Sequence, residues 1–472
     1  TLYVIQDTLY KRRLAYDELL VLQTTAQINR ATWQHTKLAH AFSLDQEKLN
    51  AFISSLPFEL TQSQINVTAE IISDLSKNTP MNRLLEGDVG SGKTVIAAIA
   101  AYITHLNGFQ SVILAPTQIL ALQHYQTVSK FLSPFNIDVG LVTANMKKTA
   151  TITVGTHALL KKYPDLDKVG LVVIDEQHRF GVTQRAIASS LGKSPHILTM
   201  TATPIPRSLA LTLYGDLDLS VLDESPKNRL PIKTWVVPES KRENAYQWIS
   251  NVILSKAKDP VRSKQQAFIV CPLINDSSSE TLVTVKAVTT EFDKLKRIFG
   301  DKKLGLLHGR LSAKVKDAVI ADFRSGKIDI LVATPVVEVG VDVPGATIMV
   351  IEAADRFGLA QLHQLRGRVG RGDQQSYCLL FSDKEDSVRL KHLETKASGH
   401  QLAELDLKLR GSGNIFGTTQ HGLPMLKVAD YSDLSLIAQA GDMAKSVYPN
   451  LSKYPTLHSL AKKAKIEAIS PN

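Results

Sequence analysis

Residues 87–94 read Gly-Asp-Val-Gly-Ser-Gly-Lys-Thr, the pattern G-x-x-x-x-G-K-[ST], and no other feature narrows the possible folds as much. Glycines in such a loop let backbone N–H groups crowd around phosphate oxygens, and a helix starting there adds positive potential at its N-terminus. Both flanks that this chemistry needs are present. Arg83-Leu84-Leu85 can serve as a short strand, and Val95-Ile96-Ala97-Ala98-Ile99-Ala100-Ala101 is a run of good helix formers. Gly87, Asp88, Val89, Gly90, Ser91 and Gly92 then form a phosphate cradle, with Lys93 reaching the β- and γ-phosphates of ATP and Thr94 ligating Mg2+. A glycine-rich turn that only caps a helix is the competing reading, and the strand and helix together count against it.

A strand–loop–helix of this kind belongs in a larger α/β unit, and the chain supplies two. From about Pro57 to Leu222, short apolar runs (111–114, 151–154, 171–174 and 196–199) alternate with amphipathic stretches. Continuous apolar strands imply a parallel sheet buried on both faces by helices. Residues 223–229 are polar and turn-rich, as a linker is. A second series follows at 267–270, 304–307, 328–332 and 347–350, after a polar stretch at 256–266 that reads as a surface loop. Residues 1–56 carry helix-spaced leucines, and residues from Asp383 onward are largely helical in pattern, with a basic tail at Lys462, Lys463 and Lys465. Four regions result: a helical segment 1–56, α/β units 57–222 and 223–382, and a helical region 383–472. Tandem α/β units imply a cleft between them.

A length of 472 residues suits two or three domains, and 44% hydrophobic content supports more than one core. No apolar run approaches the ~18 residues of a membrane span. The first residues lack the apolar stretch of a secretory signal, and with no initiator Met the chain reads as a fragment of something longer. Two distant cysteines, Cys271 and Cys378, argue against a disulfide framework or zinc site and fit a reducing cytoplasm. A net charge of +10 favours a polyanionic partner, either nucleic acid or an anionic membrane surface.

Asp175-Glu176-Gln177-His178 follows directly on the apolar run 171–174. At the carboxyl end of a parallel strand beside a phosphate loop, Asp175 can hold Mg2+ while Glu176 orients and deprotonates the attacking water. Without that loop the acidic pair would read as a solvated turn. Thr201-Ala202-Thr203 follows another strand and by itself is ordinary turn composition. In the second unit, Gln364-Leu365-Arg366-Gly367-Arg368-Val369-Gly370-Arg371 interleaves arginines with glycines. Arg368 and Arg371 can reach across the cleft and stabilise γ-phosphate charge, with Lys93 facing Arg371 across the nucleotide. The plainer reading is a basic surface turn for DNA phosphates.

In this order and spacing the motifs resemble those of superfamily 2 helicases, which implies two tandem RecA-like parallel-sheet lobes. By that resemblance Phe58 and Gln64 recognise adenine. Ala115-Pro116-Thr117 and Gly155-Thr156-His157 look like nucleic-acid-backbone motifs, and Thr201 and Thr203 like the motif coupling ATP state to lobe movement. Ala333-Thr334-Pro335 through Gly340-Val341-Asp342 is similar to the second-lobe motif that touches nucleotide and DNA. His178 and Gln364 fall among the coupling residues on the same ground.

The match narrows to the RecG family of bacterial branch-migration helicases. Asp175 to Val182 and Gly87 to Thr94 are close to that family's forms. Leu402 to Leu407, Arg410-Gly411-Ser412-Gly413, Gly417 and Gln420 resemble its translocation motif, a helical hairpin and loop from which Arg410 and Gln420 carry over. The likeness runs from about residue 10 to 440. Three departures stand out: the family's N-terminal oligonucleotide-binding wedge has no counterpart, residues 1–56 resembling only the linker behind it; Pro335 stands where Thr is usual; and Ser412 replaces a Pro. The resemblance implies an ATP- and Mg2+-dependent DNA helicase or duplex translocase of 3′–5′ type. It would act on stalled forks and Holliday junctions as a cytoplasmic, nucleoid-associated monomer, partnered by single-strand DNA-binding protein and by no membrane. The transcription-repair coupling factor is a rival, but it usually has Glu where Gln177 stands and lacks Ser91. RNA-remodelling helicases typically carry Asp-Glu-Ala-Asp and lack the translocation segment. A non-catalytic DNA-binding scaffold is the reading from another class, and the intact set Lys93, Asp175, Glu176, Arg368 and Arg371 argues against it.

Overall fold

Apolar, β-branched runs between polar turns become parallel strands, and the longer amphipathic stretches between them become helices. The computed structural model describes residues 9–36, 39–144, 146–159, 168–176, 194–203, 217–224, 230–255, 265–272, 281–335, 343, 345–370, 372, 374–383, 387–395, 399–410 and 426–469. These fall into two units, one of residues 1–87, 92–222 and 403–472, the other of 88–91 and 223–402.

The first unit begins with helices α1 (Leu9–Thr36), α2 (Gln46–Ser54) and α3 (Gln62–Leu75). There follow β1 (Asn82–Gly87), α4 (Lys93–Leu106), β2 (Gln110–Leu114), α5 (Gln118–Leu132), β3 (Val139–Val142), β4 (Lys147–Lys148), β5 (Ile152–Gly155), β6 (Val169–Asp175), β7 (His196–Thr201) and β8 (Asp218–Leu222). The strands form one sheet in the order β4-β3-β5-β2-β6-β7-β1-β8, parallel except where β4 pairs with β3. Helix α4 is apolar all round and is accordingly interior, with residues 95–104 buried. Period-two alternation divides each central strand between two cores. Ile113, Leu171, Val173 and Leu198 face α3, α4 and α5, while Val112, Leu114, Val172 and Ile174 form a second cluster against which Trp33 of α1 packs.

The second unit contains β9 (Lys233–Pro238), α6 (Arg242–Ser255), β10 (Gln266–Val270), α7 (Thr281–Phe299), β11 (Leu304–Leu307), α8 (Ala313–Arg324), β12 (Ile330–Ala333), β13 (Ala346–Ile351), α9 (Leu359–Arg366), β14 (Tyr377–Ser382) and α10 (Val388–Thr395). Its all-parallel sheet has the order β11-β12-β10-β13-β14-β9. Ile269, Val332, Val350 and Phe381 pack there against Tyr246, Ile249, Leu295 and Phe299. Strands β9 and β14 add to the four expected from sequence in this unit.

Helix α11 (Gly399–Arg410) is followed by α12 (Leu434–Val447) and α13 (Pro455–Ile469), and the last two return to the first unit. There Leu436, Ile437 and Ala440 of α12 bury Ala15 and Leu19 of α1. Thr25 donates to the Ala461 carbonyl at 3.2 Å. The Glu18 carboxylate accepts the successive N–H groups of Lys427, Val428 and Ala429 at 2.7, 3.0 and 2.8 Å.

Candidate nucleotide site

Strand β1 ends at Gly87, and the loop beyond it turns on Gly90 (φ 83°) and Gly92 (φ 92°), both in the left-handed region that glycine alone enters freely. Ser91 N–H returns to the Asp88 carbonyl at 3.1 Å, and Gly92 caps α4, its carbonyl accepting from Val95 N–H at 3.0 Å. A β-carbon on Gly92 would lie 2.3 Å from Gln64 Nε2. That amide is held in place by the capping box of α3. Gln64 Oε1 accepts Thr61 N–H at 3.0 Å, and the Thr61 hydroxyl accepts Gln64 N–H at 3.3 Å. Lys93, the first residue of α4, turns its ammonium back onto the loop and donates to the Gly87 carbonyl at 2.6 Å.

Parallel pairing brings Asp175 and Thr201 of this unit to the same carboxyl end of the sheet as the loop. Glu86 of β1 pairs with Thr201 of β7, and Met200 of β7 with Asp175 of β6. Two strand spacings of about 4.8 Å therefore separate the end of β6 from the end of β1. Asp175 is buried; its Oδ1 accepts Glu176 N–H at 3.1 Å and its Oδ2 accepts His124 Nε2–H at 2.7 Å. The other imidazole nitrogen, Nδ1, lies 3.5 Å from the Thr94 hydroxyl. Burial by itself would raise the Asp175 carboxyl, but the hydrogen bond and charge of His124, with Lys93 nearby, hold it below the usual carboxylate range. Glu176 has φ 52°, a left-handed conformation that costs a non-glycine residue about 1–3 kcal/mol and persists where surrounding structure enforces it. Among the described residues no group of three or more His, Cys, Asp and Glu could cage a metal alone. A hydroxyl and a carboxylate beside a phosphate loop suit a hard, oxygen-seeking cation that shares its ligands with a nucleotide.

Phe58 is 45% exposed and meets Phe131 edge-on at 6.1 Å. Thr117 caps α5, its hydroxyl accepting Leu120 N–H at 3.3 Å. Thr156 is buried after β5, its N–H bonded to the Val142 carbonyl at 3.2 Å, and His157 is exposed beside it. Thr201 ends β7, and its hydroxyl accepts Thr203 N–H at 3.1 Å. In the second unit, Thr334 is buried after β12 and donates its N–H to the Leu307 carbonyl at 3.1 Å. Gln364 and Arg368 are buried on and just after α9. Arg366 between them bonds the Leu393 carbonyl and His363 Nδ1, both at 2.8 Å. His178, Asp342, Arg371 and Gln420 lie outside the described residues, as does the side chain of Arg410, which ends α11.

His124 was not singled out from sequence, because it falls in no motif. Its one signal is periodicity: Ala121, Val128 and Leu132 make an apolar buried face on α5, and His124 interrupts it.

Two family models match the chain, the DEAD/DEAH box helicase over residues 61–212 and the helicase conserved C-terminal domain over residues 253–373. Together with a phosphate loop in an eight-stranded sheet and a second parallel-sheet unit downstream, these matches place the chain in the class of helicases built from two RecA-like lobes. Dbp5 of S. cerevisiae bound to RNA and ADP BeF3 shares that fold, with a TM-score of 0.53 at 19% identity over 85% of this chain and 97% of its own.

Closer similarities specify the family. The chain is 43% identical to the ATP-dependent DNA helicase RecG of Synechocystis sp. over 95% of its length and 55% of that protein's. It is 40% identical to the RecG of a Staphylococcus epidermidis strain over 94% of its length and 67% of that protein's. A solved structure of RecG bound to a three-way DNA junction superposes with a TM-score of 0.74 at 39% identity, covering 92% of this chain and 57% of that one. The chain belongs to the RecG family of ATP-dependent DNA helicases. It spans 55% and 57% of the Synechocystis and Thermotoga maritima relatives. No described helix is long and apolar enough to cross a membrane.

Proposed function

We propose that this chain is an ATP-driven duplex-DNA translocase that remodels branched DNA, drawing its work from nucleotide hydrolysis at the loop 87–94. The observation that carries the reading is the link from Thr94 through His124 to Asp175, beside a phosphate loop whose lysine heads α4. The 39% identity to a RecG structure bound to a three-way junction supports the choice of branched DNA.

In this reading the N–H groups of residues 88–93 cradle the ATP phosphates and Lys93 neutralises the β- and γ-phosphates. Thr94 and Asp175 would hold Mg2+, which would supply positive charge to offset that of the phosphates. Glu176 orients a water in line and accepts its proton. Phe58 and Gln64 recognise adenine, with Asp342 contributing from the second lobe. Arg368 and Arg371 stabilise charge on the transferring phosphoryl group. Thr117, Thr156, His157, His178, Thr201, Thr203, Thr334 and Gln364 contact DNA or couple it to the nucleotide, and Arg410 and Gln420 convert lobe movement into stepping. The protein acts as a monomer on forks and Holliday junctions alongside single-strand DNA-binding protein.

Displacement of a labelled third strand from a triplex on duplex DNA tests translocation directly. The wild type is expected to strip the strand with ATP and to leave it with a non-hydrolysable analogue, and E176Q is expected to bind ATP without stripping. Equal displacement with the analogue, or none with ATP, contradicts the reading.

A further inference from the structure

We infer that His124 is a positioning residue for the metal-bound nucleotide, holding Asp175 and Thr94 in register so that one cation can engage both. The inference deepens the reading of the nucleotide site given above and rests on it. Three elements meet at this ring. Asp175 comes from the end of β6, Thr94 from the first turn of α4, and His124 from the buried face of α5. The Nε2–Oδ2 bond of 2.7 Å fixes one carboxylate oxygen, and the backbone N–H of Glu176 fixes the other at 3.1 Å. Each oxygen of an ionised carboxylate accepts at about two sites, so both bonds leave capacity for a cation while removing freedom to rotate. The second ring nitrogen faces the Thr94 hydroxyl at 3.5 Å, the outer limit of a hydrogen bond, so the ring also borders that side chain. Burial gives the arrangement its strength: the side chains of His124 and Asp175 are 10% and 9% exposed, so water competes little for either.

An imidazole on an otherwise apolar helix face has a structural explanation too, as filler between α5 and β6. The two roles separate in what each makes dependent on Mg2+. A filler affects the whole pocket, whereas a positioning residue affects only the part of nucleotide binding that the cation adds.

Calorimetric titration of the chain with ADP, without Mg2+ and across a series of Mg2+ concentrations, distinguishes them. In H124A the Mg2+ concentration giving half of the affinity enhancement is expected to rise about tenfold or more, the usual penalty for losing a group that orients a metal ligand. Its Mg2+-free ADP affinity is expected to stay within about twofold of wild type, and H124Q, whose amide can donate to Asp175, within about threefold in Mg2+ requirement. If H124A does not fold, H124N against H124Q carries the same comparison, because the shorter amide falls short of the carboxylate. An unchanged Mg2+ requirement in H124A, or an equal loss of ADP affinity with and without Mg2+, overturns the inference alone. A wild-type chain whose ADP binding ignores Mg2+ overturns the nucleotide-site reading beneath it as well.

Discussion

A hydrogen in place of a β-carbon at Gly92 is what lets the loop pass beneath Gln64. G92A adds a carbon 2.3 Å from that amide and forces alanine to φ 92°, a conformation worth about 1–3 kcal/mol against it. The loop is expected to shift, and ADP affinity measured by calorimetry to fall about tenfold or more, by the same free-energy range; unchanged affinity would show that the glycine is dispensable. His196 carries a pH dependence of its own. The ring accepts Met81 N–H at 3.0 Å and donates to the His40 carbonyl at 3.0 Å, and burial holds its pKa below 6.5. A histidine kept neutral in the fold but free to protonate when unfolded contributes fully above about pH 6.5, and its contribution shrinks as pH falls toward the lower folded value. Melting temperature is therefore expected to drop as pH falls below about 6.5, with a shallower slope in H196Q, which has nothing to titrate there. At this scale the phosphate loop was legible because its chemistry demands adjacent residues. The Gln64 amide over Gly92 was not, since residues 28 apart in sequence meet only once α3 has packed on the sheet.

Elements are held together by polar ties that sequence patterning does not show. Arg83, legible only as part of a short strand, proves to be buried and joins β1 to α3 and β8. It reaches Asp74 at 2.7 Å, Glu70 at 2.9 Å and Ser220 at 2.7 Å. Removing it strips a buried Asp74 of this partner, and losing one member of a buried pair costs about 3 kcal/mol or more. R83A is expected to lose stability on that scale in denaturant unfolding, and a loss below about 1 kcal/mol would mean the network is solvent-screened. Strands β2, β6 and β10 could be read from sequence because both faces are buried and the runs are continuous. Strand β9 could not, because it lies at a sheet edge and Lys233 and Trp235 leave it partly exposed. Strand β4 is two exposed lysines, held by antiparallel pairing with β3 and by an ion pair from Lys148 to Asp138 at 3.4 Å.

For the whole molecule, two α/β units in tandem were readable because each announces itself by repeated buried strands. The meeting of α1 with the segment that precedes α12 was not: Glu18 receives N–H groups from residues more than four hundred positions away. A net charge of +10 predicts that DNA binding is dominated by phosphate contacts. The logarithm of affinity for a labelled three-way junction, followed by anisotropy, is expected to fall linearly with the logarithm of salt concentration, by about 0.9 per phosphate neutralised. A flat response would point to recognition without the backbone. The most direct measurement of all is steady-state ATP hydrolysis with and without branched DNA, in wild type and K93A. DNA is expected to stimulate the wild type severalfold, and K93A to lose about a hundredfold or more of the stimulated rate; hydrolysis indifferent to DNA, or surviving intact without Lys93, would contradict an ATP-driven motor on DNA.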